Sequence, residues 1–276
     1  MDGYASTRAL VFGASGFIGR WVARRLAADG AELYLVVRPG SGCEKVFEEY
    51  SIRGRIIPAD LGERGAAAGV IYEVRPDVTF NLAGYGVDRA ETGEAAARRI
   101  NTELVEEIAL ASADLDAGGR QGPAVVHAGS ALEYGTIGGD LSEDSPPNPT
   151  TLYGATKLEG TRALARVCSE TGLKGVTARL FTVYGPGEHA GRLLPSLIEA
   201  AAAKRPVELT AGLQKRDFTY VEDVADGLAR LALSGAAPGQ VVNLATGMLT
   251  TVRDFTERAA AVLGIPRVDL LFGAVP

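Results

Sequence analysis

From Arg8 to about Arg179, short apolar runs alternate with stretches whose apolar residues recur every three or four positions. Arg8-Ala-Leu-Val-Phe12 reads as a short buried strand, and Arg20-Trp-Val-Ala-Arg-Arg-Leu-Ala-Ala28 as an amphipathic helix. The pattern predicts strands near 8–12, 33–37, 55–58, 78–82, 124–128 and 176–180, with helices near 17–29, 64–74, 93–113 and 151–171. Strands alternating with helices in this way build an α/β fold, a doubly wound parallel (Rossmann) sheet. After Tyr184-Gly-Pro-Gly187 the alternation weakens, so a large domain over 1–183 and a small C-terminal lobe over 184–276 are expected. The segment Ser145-Pro-Pro-Asn-Pro149 excludes helix, which leaves Thr150 or Thr151 to cap the helix beyond it.

Composition changes this picture little. Among 276 residues, 46% are apolar and 22% charged, the proportions of an ordinary globular protein. No apolar run approaches the ~20 residues of a membrane span, and no charged-then-apolar leader precedes the first strand. A net charge of −6 argues against a nucleic-acid surface. Cys43 and Cys168 are too few and too far apart for a disulfide framework, so a reduced, cytoplasmic protein is expected. His127 and His189 stand in no recognisable ligand spacing with those cysteines, and no metal site is expected.

Two stretches carry candidate chemistry. Gly13-Ala-Ser15-Gly16-Phe17-Ile18-Gly19 lies between the first strand and the first helix. Glycines there let the turn tighten, let backbone N–H groups approach a pyrophosphate and let the helix pack on the strand. The spacing is G-x-x-G-x-x-G rather than G-x-G-x-x-G. The second stretch is Tyr153-Gly-Ala-Thr-Lys157, whose i,i+4 spacing puts both side chains on one helix face. A phenol with an unperturbed pKa near ~10 is a poor acid at neutral pH. A nearby ammonium stabilises the phenolate, so the hydroxyl can trade protons with a carbonyl or an alcohol. Ser130 lies upstream, in the order expected of a third partner. At the end of the second strand an NAD site usually has Asp or Glu on the ribose 2′-hydroxyl. This chain has Val37-Arg38-Pro39. Arg38 can pair with a 2′-phosphate, which favours NADP over NAD.

Together these residues resemble the extended short-chain dehydrogenase/reductases, the nucleotide-sugar epimerases, dehydratases and reductases. The resemblance covers nearly the whole chain and implies more sites. Asp60-Leu61 sits where that branch contacts adenine, and Asn81-Leu82-Ala83-Gly84 where the fourth strand closes beside the cofactor. Asn101 stands where the family keeps an asparagine near the active site. Gly129-Ser-Ala-Leu-Glu-Tyr-Gly135 resembles the family's serine turn, with Ser130 holding the substrate oxygen. Arg179-Leu-Phe-Thr-Val-Tyr-Gly-Pro186, Arg216-Asp-Phe-Thr-Tyr-Val-Glu-Asp-Val224 and Val242-Asn-Leu-Ala-Thr-Gly247 match further landmarks. Arg216 resembles the arginine that grips the nucleotide diphosphate, and Arg192 is a second candidate. Thr182 stands where many relatives have an asparagine near the sugar. Family architecture implies that the chain returns to the first domain at about 219–234. Relatives usually continue past a segment like Leu271-Phe-Gly-Ala-Val-Pro276, so a truncated chain or an abbreviated lobe is expected.

The residues after Ser130 narrow the reaction. Nucleotide-sugar 4,6-dehydratases of the family carry an Asp-Glu pair there, and this chain has Ala131 and Leu132, which move no proton. Glu133 is one position further and is expected to point away from the sugar. The resemblance then implies reduction of a 4-keto-6-deoxy nucleotide sugar, with Tyr153 as proton donor and Lys157 also holding the nicotinamide ribose. A 4-epimerase that recycles NAD is the alternative, and a non-catalytic NADP-binding protein the second. A homodimer is the expected assembly.

Overall fold

The computed structural model describes residues 3–86, 91–115, 122, 124–136 and 139–275. In chain order the large sheet begins with β1 (Arg8–Phe12), α1 (Phe17–Ala28), β2 (Glu32–Val37), α2 (Glu44–Glu49) and β3 (Arg55–Pro58). It continues with α3 (Ala66–Val74), β4 (Val78–Asn81), α4 (Glu94–Arg98), a π-turn (Arg99–Glu103), α5 (Leu104–Leu115) and β5 (Val125–Ser130). A 3₁₀ turn (Ala131–Tyr134), α6 (Leu152–Thr171) and β6 (Gly175–Leu180) come next. Then come β7 (Thr182–Tyr184), α7 (Leu193–Ala203), β8 (Val207–Leu209) and β9 (Lys215–Tyr220). The chain ends with α8 (Val221–Leu231), β10 (Gln240–Leu244), β11 (Leu249–Thr251), α9 (Val252–Leu263) and β12 (Leu270–Phe272).

Seven strands make one sheet in the order β10-β6-β5-β4-β1-β2-β3, every neighbouring pair parallel. This is the doubly wound α/β sheet that the alternating pattern predicts. From β1 the chain winds outward through β2 and β3, then returns to β4 on the other side. That reversal is the switch point at which such sheets take ligands.

Alternation along the strands decides which helices cover which face. Leu10, Phe12, Val36 and Ile57 pack with Ala67 and Ile71 of α3, Leu104 and Ile108 of α5, and Leu164 and Val167 of α6. Each fully buried Leu, Ile or Phe contributes about 1.5–3 kcal/mol. α1 and α8 are joined by Arg25 and Asp226 at 3.0 Å. Tyr4 ties the amino-terminal segment to α8 by donating its hydroxyl to Ala229 O at 2.6 Å. No helix among the described residues is long and apolar enough to cross a membrane.

Contacts divide the chain into two units, Met1–Leu180 with Glu222–Leu244, and Phe181–Val221 with Ala245–Pro276. The division falls just ahead of the 183/184 boundary drawn from sequence, and the returning segment runs on to β10. The second unit has its own small core, with Leu197 and Ala200 of α7, Val207 and Leu209 of β8, Ala260 of α9 and Leu270 of β12. Its strands form β11-β9-β7 and β12-β8.

One expected element needs correction. The helix predicted over 93–113 is α4, a π-turn and α5 rather than a single helix. The irregular turn lies where a neighbouring helix approaches closely. A Cβ on Gly160 of α6 would stand 2.1 Å from Asn101 O, so the helices touch backbone to backbone there. The short α2, over Glu44–Glu49, carries too little periodicity to be read from sequence.

Gly160 and Gly69 therefore have opposite expectations. Gly160→Ala forces the two helices apart and should destabilise by at least about 1–3 kcal/mol. Gly69, inside α3, has nothing within 4 Å of its Cβ position. Gly69→Ala should stabilise by roughly 0.5–1 kcal/mol. Urea unfolding of both variants checks the contrast, and similar midpoints would contradict the packing.

Candidate active site

Because the seven strands are parallel, their carboxyl ends share one edge, and most expected site residues of the first unit lie just past those ends. Gly13 follows β1 with φ +75, and a Cβ there would meet Leu82 O and Ala83 N at 2.9 Å. The turns after β1 and β4 thus touch at the switch point, and a side chain at 13 would push them apart. Gly16 N donates to Gly13 O at 3.0 Å, and Ala14 N to Val36 O at 3.2 Å. A Cβ on Gly19 would stand 2.0 Å from Gly13 O, against 3.1 Å for one on Gly16. Gly13 and Gly19 are therefore required by the fold itself. Gly16 is exposed and caps α1 without a side-chain hydrogen bond. The first backbone N–H groups of α1, at Phe17 and Ile18, are left to an outside acceptor. Ser15 belongs to the same turn, where Arg20 donates to Ser15 O at 2.9 Å and Gly16 O at 3.1 Å. With Gly16 exposed and no side chain capping α1, this helix start is open to an anion such as a dinucleotide's pyrophosphate.

The neighbouring strand ends carry the other expected contacts. Arg38, just past β2, is exposed, and its side chain has no hydrogen-bond or ion-pair partner among the described residues. Asp60, past β3, accepts from Gly62 N at 2.9 Å. Leu61 packs against the core. Leu82 N donates to Phe12 O at 3.0 Å and Ala83 N to Asn81 Oδ1 at 3.3 Å. Gly84 is exposed beside them.

Asn101 is fully buried in the π-turn. Its Oδ1 accepts from Tyr85 N at 3.0 Å, and its Nδ2 donates to Tyr85 O at 2.8 Å and to Thr156 Oγ1 at 3.0 Å. Both amide protons are thus used inside the protein. Asn101 clamps the loop after β4 onto α6 one residue before Lys157. That loop carries Gly86, whose Cβ position lies 3.3 Å from the Tyr153 ring, so it packs on the tyrosine.

Ser130 ends β5 and is buried. Its Oγ accepts from Leu132 N at 3.2 Å, and Glu133 Oε1 accepts from Ser130 N at 2.8 Å, a reciprocal capping box. Glu133 has no exposed surface, and its Oε2 accepts from Arg179 Nε at 2.8 Å and Thr161 Oγ1 at 3.1 Å. Its carboxylate is turned into the core. Gly129 makes room for it, since a Cβ there would stand 2.7 Å from Glu133 Oε1.

α6 begins at Thr151, which accepts from Gly154 N at 3.0 Å and so resolves the choice of cap. Gly154 is required because Leu132 O lies 2.4 Å from its Cβ position. The serine turn is thereby seated against the first turn of α6, where Tyr153 is partly buried. Lys157 is buried one turn later. Burial lowers its pKa to about 8, and the negative charge of Glu133 opposes that shift. His127 on β5 is fully buried, and its Nδ1 lies 3.3 Å from Asn81 Nδ2. Burial, then the charge of Lys157, hold its pKa well below the usual histidine value, so it is neutral.

In the second unit, Thr182 opens β7 opposite Phe218 of β9. Arg192 stands 3.6 Å from Glu188, whose carboxyl is buried and pushed up in pKa by that burial. Arg216 is exposed on β9, with one guanidinium nitrogen on Lys215 O at 2.9 Å. Sequence reasoning passed over Asp217, which accepts from Thr219 Oγ1, Thr246 N and Oγ1, and Gly247 N. The alternation Arg216-Asp-Phe-Thr was the available signal, since it puts Asp217 and Thr219 on one face. Phe218 stacks on Phe255 at 4.0 Å. Among the described residues no group of three or more His, Cys, Asp and Glu could hold a metal ion.

Known proteins resemble this chain in sequence and fold. dTDP-6-deoxy-L-talose 4-dehydrogenase (NAD(P)(+)) of Kitasatospora kifunensis is 30% identical over 274 residues, covering 95% of this chain and 81% of the relative. UDP-glucose 4-epimerase of Mycolicibacterium smegmatis is 32% identical over 269 residues, covering 94% of this chain and 83% of the relative. The solved structure of MoeE5 in complex with UDP-glucose and NAD has a TM-score of 0.81 at 29% identity, covering 97% of this chain and 85% of that one. A family model, that of the NAD dependent epimerase/dehydratase family, matches residues 9–245. Because that match runs from the first strand of the sheet to the last, this chain belongs to the NAD dependent epimerase/dehydratase family, among the extended short-chain dehydrogenase/reductases.

Proposed function

We propose that this chain is an NAD(P)-dependent oxidoreductase acting on a nucleotide-activated sugar, and that it reduces a 4-keto-6-deoxy sugar with Tyr153 as proton donor. The observation that carries the reading is Lys157, a cation buried one turn from Tyr153 on the same face of α6. A buried ammonium is costly unless an opposite charge offsets it, and here Glu133 does so only in part. Relatives named as a dTDP-6-deoxy-sugar 4-dehydrogenase and a UDP-glucose 4-epimerase support the substrate class and the carbon.

When bound, the nicotinamide dinucleotide supplies the hydride chemistry. Gly13, Ser15, Gly16, Phe17, Ile18 and Gly19 hold its pyrophosphate, Asp60 and Leu61 its adenine side, and Leu82, Ala83 and Gly84 the far side of the turn. Lys157 holds the nicotinamide ribose, and Asn101 positions Lys157 through Thr156. Ser130 orients the sugar oxygen. Tyr153 delivers its proton to that oxygen, and Lys157 stabilises the phenolate that remains. In the oxidative direction the same phenolate takes the proton back. In the second unit, Arg216 and Arg192 serve the nucleotide diphosphate and Thr182 the sugar. A cytoplasmic homodimer belongs to the same reading, and the two free, buried cysteines suit a reducing compartment.

Arg38 tilts the choice toward a reductase. Its guanidinium past β2, exposed and without a partner among the described residues, suits a 2′-phosphate, and NADPH suits net reduction. The relative named as an epimerase supports the second reading, a 4-epimerase with recycled NAD. Incubation with NADPH and 4-keto-6-deoxy nucleotide sugars separates them. A reductase consumes nicotinamide absorbance stoichiometrically, and an epimerase consumes none.

Tyr153→Phe should lower turnover by about 10²–10⁴-fold, the usual worth of a positioned acid, and leave cofactor affinity nearly intact. Near-normal turnover in this variant would sink the mechanism.

Lys157 must keep its proton, so kcat/KM should fall as pH rises through about 8. Glu133→Gln removes the charge that opposes the shift, and the alkaline limb should move to lower pH. The same change leaves Arg179 without a counter-charge, and should destabilise by about 3–5 kcal/mol. A limb that stays in place in folded Glu133→Gln would refute the coupling.

Arg38→Ala should weaken NADPH by roughly 1.5–3 kcal/mol, the scale of a charge-assisted hydrogen bond, and hardly affect NADH. Equal losses for both cofactors would mean that Arg38 stacks on the adenine and does not discriminate.

A further inference from the structure

Two large apolar side chains stand exposed close in sequence to the residues expected to react. Leu132 is 48% exposed two positions after Ser130, and Leu152 is 38% exposed one position before Tyr153. A single exposed leucine needs no explanation. These two lie on elements held in fixed register, since Leu132 O sits 2.4 Å from the Cβ position of Gly154. The 3₁₀ turn and the first turn of α6 are therefore one rigid piece, bearing Ser130, Leu132, Leu152 and Tyr153.

The polarity of this piece is one-sided. Its carboxylate, Glu133, is buried, with both oxygens held by Ser130 N, Arg179 and Thr161. Ala131 is half-buried and offers a methyl group. What the turn presents outward beside the serine is hydrocarbon.

We infer that Leu132 and Leu152 form an apolar seat that selects a sugar whose carbon substituent next to the reacting carbon is a methyl group rather than a hydroxymethyl group. The inference rests on the nucleotide-sugar reading proposed above and adds the residues that set the substrate class. A hydroxymethyl placed against two leucines loses water without gaining a hydrogen bond, whereas a methyl group covers exposed hydrocarbon.

The test is oxidation of a dTDP-6-deoxyhexose and of the matching dTDP-hexose, in both C4 configurations, with NADP⁺ and NAD⁺. The same sugars as UDP derivatives form a second set. Wild type should favour the deoxy sugar in kcat/KM by about 10–200-fold, the range for one small group in an apolar pocket. Leu132→Ser should reduce that ratio about tenfold or more, Leu152→Ser should also reduce it, and Leu132→Met should keep it. Ratios unmoved in both serine variants, with both sugars turned over, would overturn the inference and leave the proposed function standing. No turnover of any of these sugars by wild type would overturn the proposed function, and the inference with it.

Discussion

A carboxylate without exposed surface organises the centre of this molecule. Glu133 joins three elements, since it accepts from Ser130 N at the end of β5, from Arg179 on β6 and from Thr161 on α6. Desolvating two charges is expensive, and such a pair is not in itself a large source of stability. What it supplies is placement. With the carboxylate fixed, the backbone at Ser130 is fixed, and α6 is tied to the same point. Arg179 also lies over the ring of Tyr134 at 4.4 Å, and Tyr134 donates to Asn243 Oδ1 at 2.8 Å, which carries the network to β10.

The same charge reaches Lys157. Lys157 is buried with neutral His127 nearby, and burial alone would favour loss of its proton. Glu133 is the negative group that resists this loss. A residue whose hydrogen bonds are structural thus also bears on the charge of Lys157.

Much of the first unit is legible in the sequence because its signals are periodic. Apolar runs mark the strands, and glycines placed directly after β1 mark the turn, since a parallel sheet puts every strand's carboxyl end on one edge. The inward turn of Glu133 is expected from its position, but its partners are not, because Thr161 and Arg179 lie far away in sequence. The π-turn is illegible, since the helical stripe of α4 continues through it, and the close approach it makes is to a glycine on another helix. Asp217 is hidden behind Arg216, whose exposed charge dominates the segment although the buried neighbour makes the bonds. The second unit reads most coarsely, because strands of three residues such as β7, β8, β11 and β12 carry no period to detect.

The π-turn at Arg99–Glu103 also fixes a phase. It holds one residue more than the α-helical turn it replaces, so residues before and after it are rotated against each other about the common axis. Arg98, just before it, meets Glu159 of α6 at 2.8 Å, and Arg99, its first residue, meets Glu107 of α5 at 2.7 Å. Loss of any single residue from this stretch would restore a continuous helix and turn everything upstream by about one residue's angle, roughly 100°. Asn101 would leave Tyr85 and Thr156 together, although no side chain touching them had been changed. In this stretch chain length, more than residue identity, is what the fold holds constant.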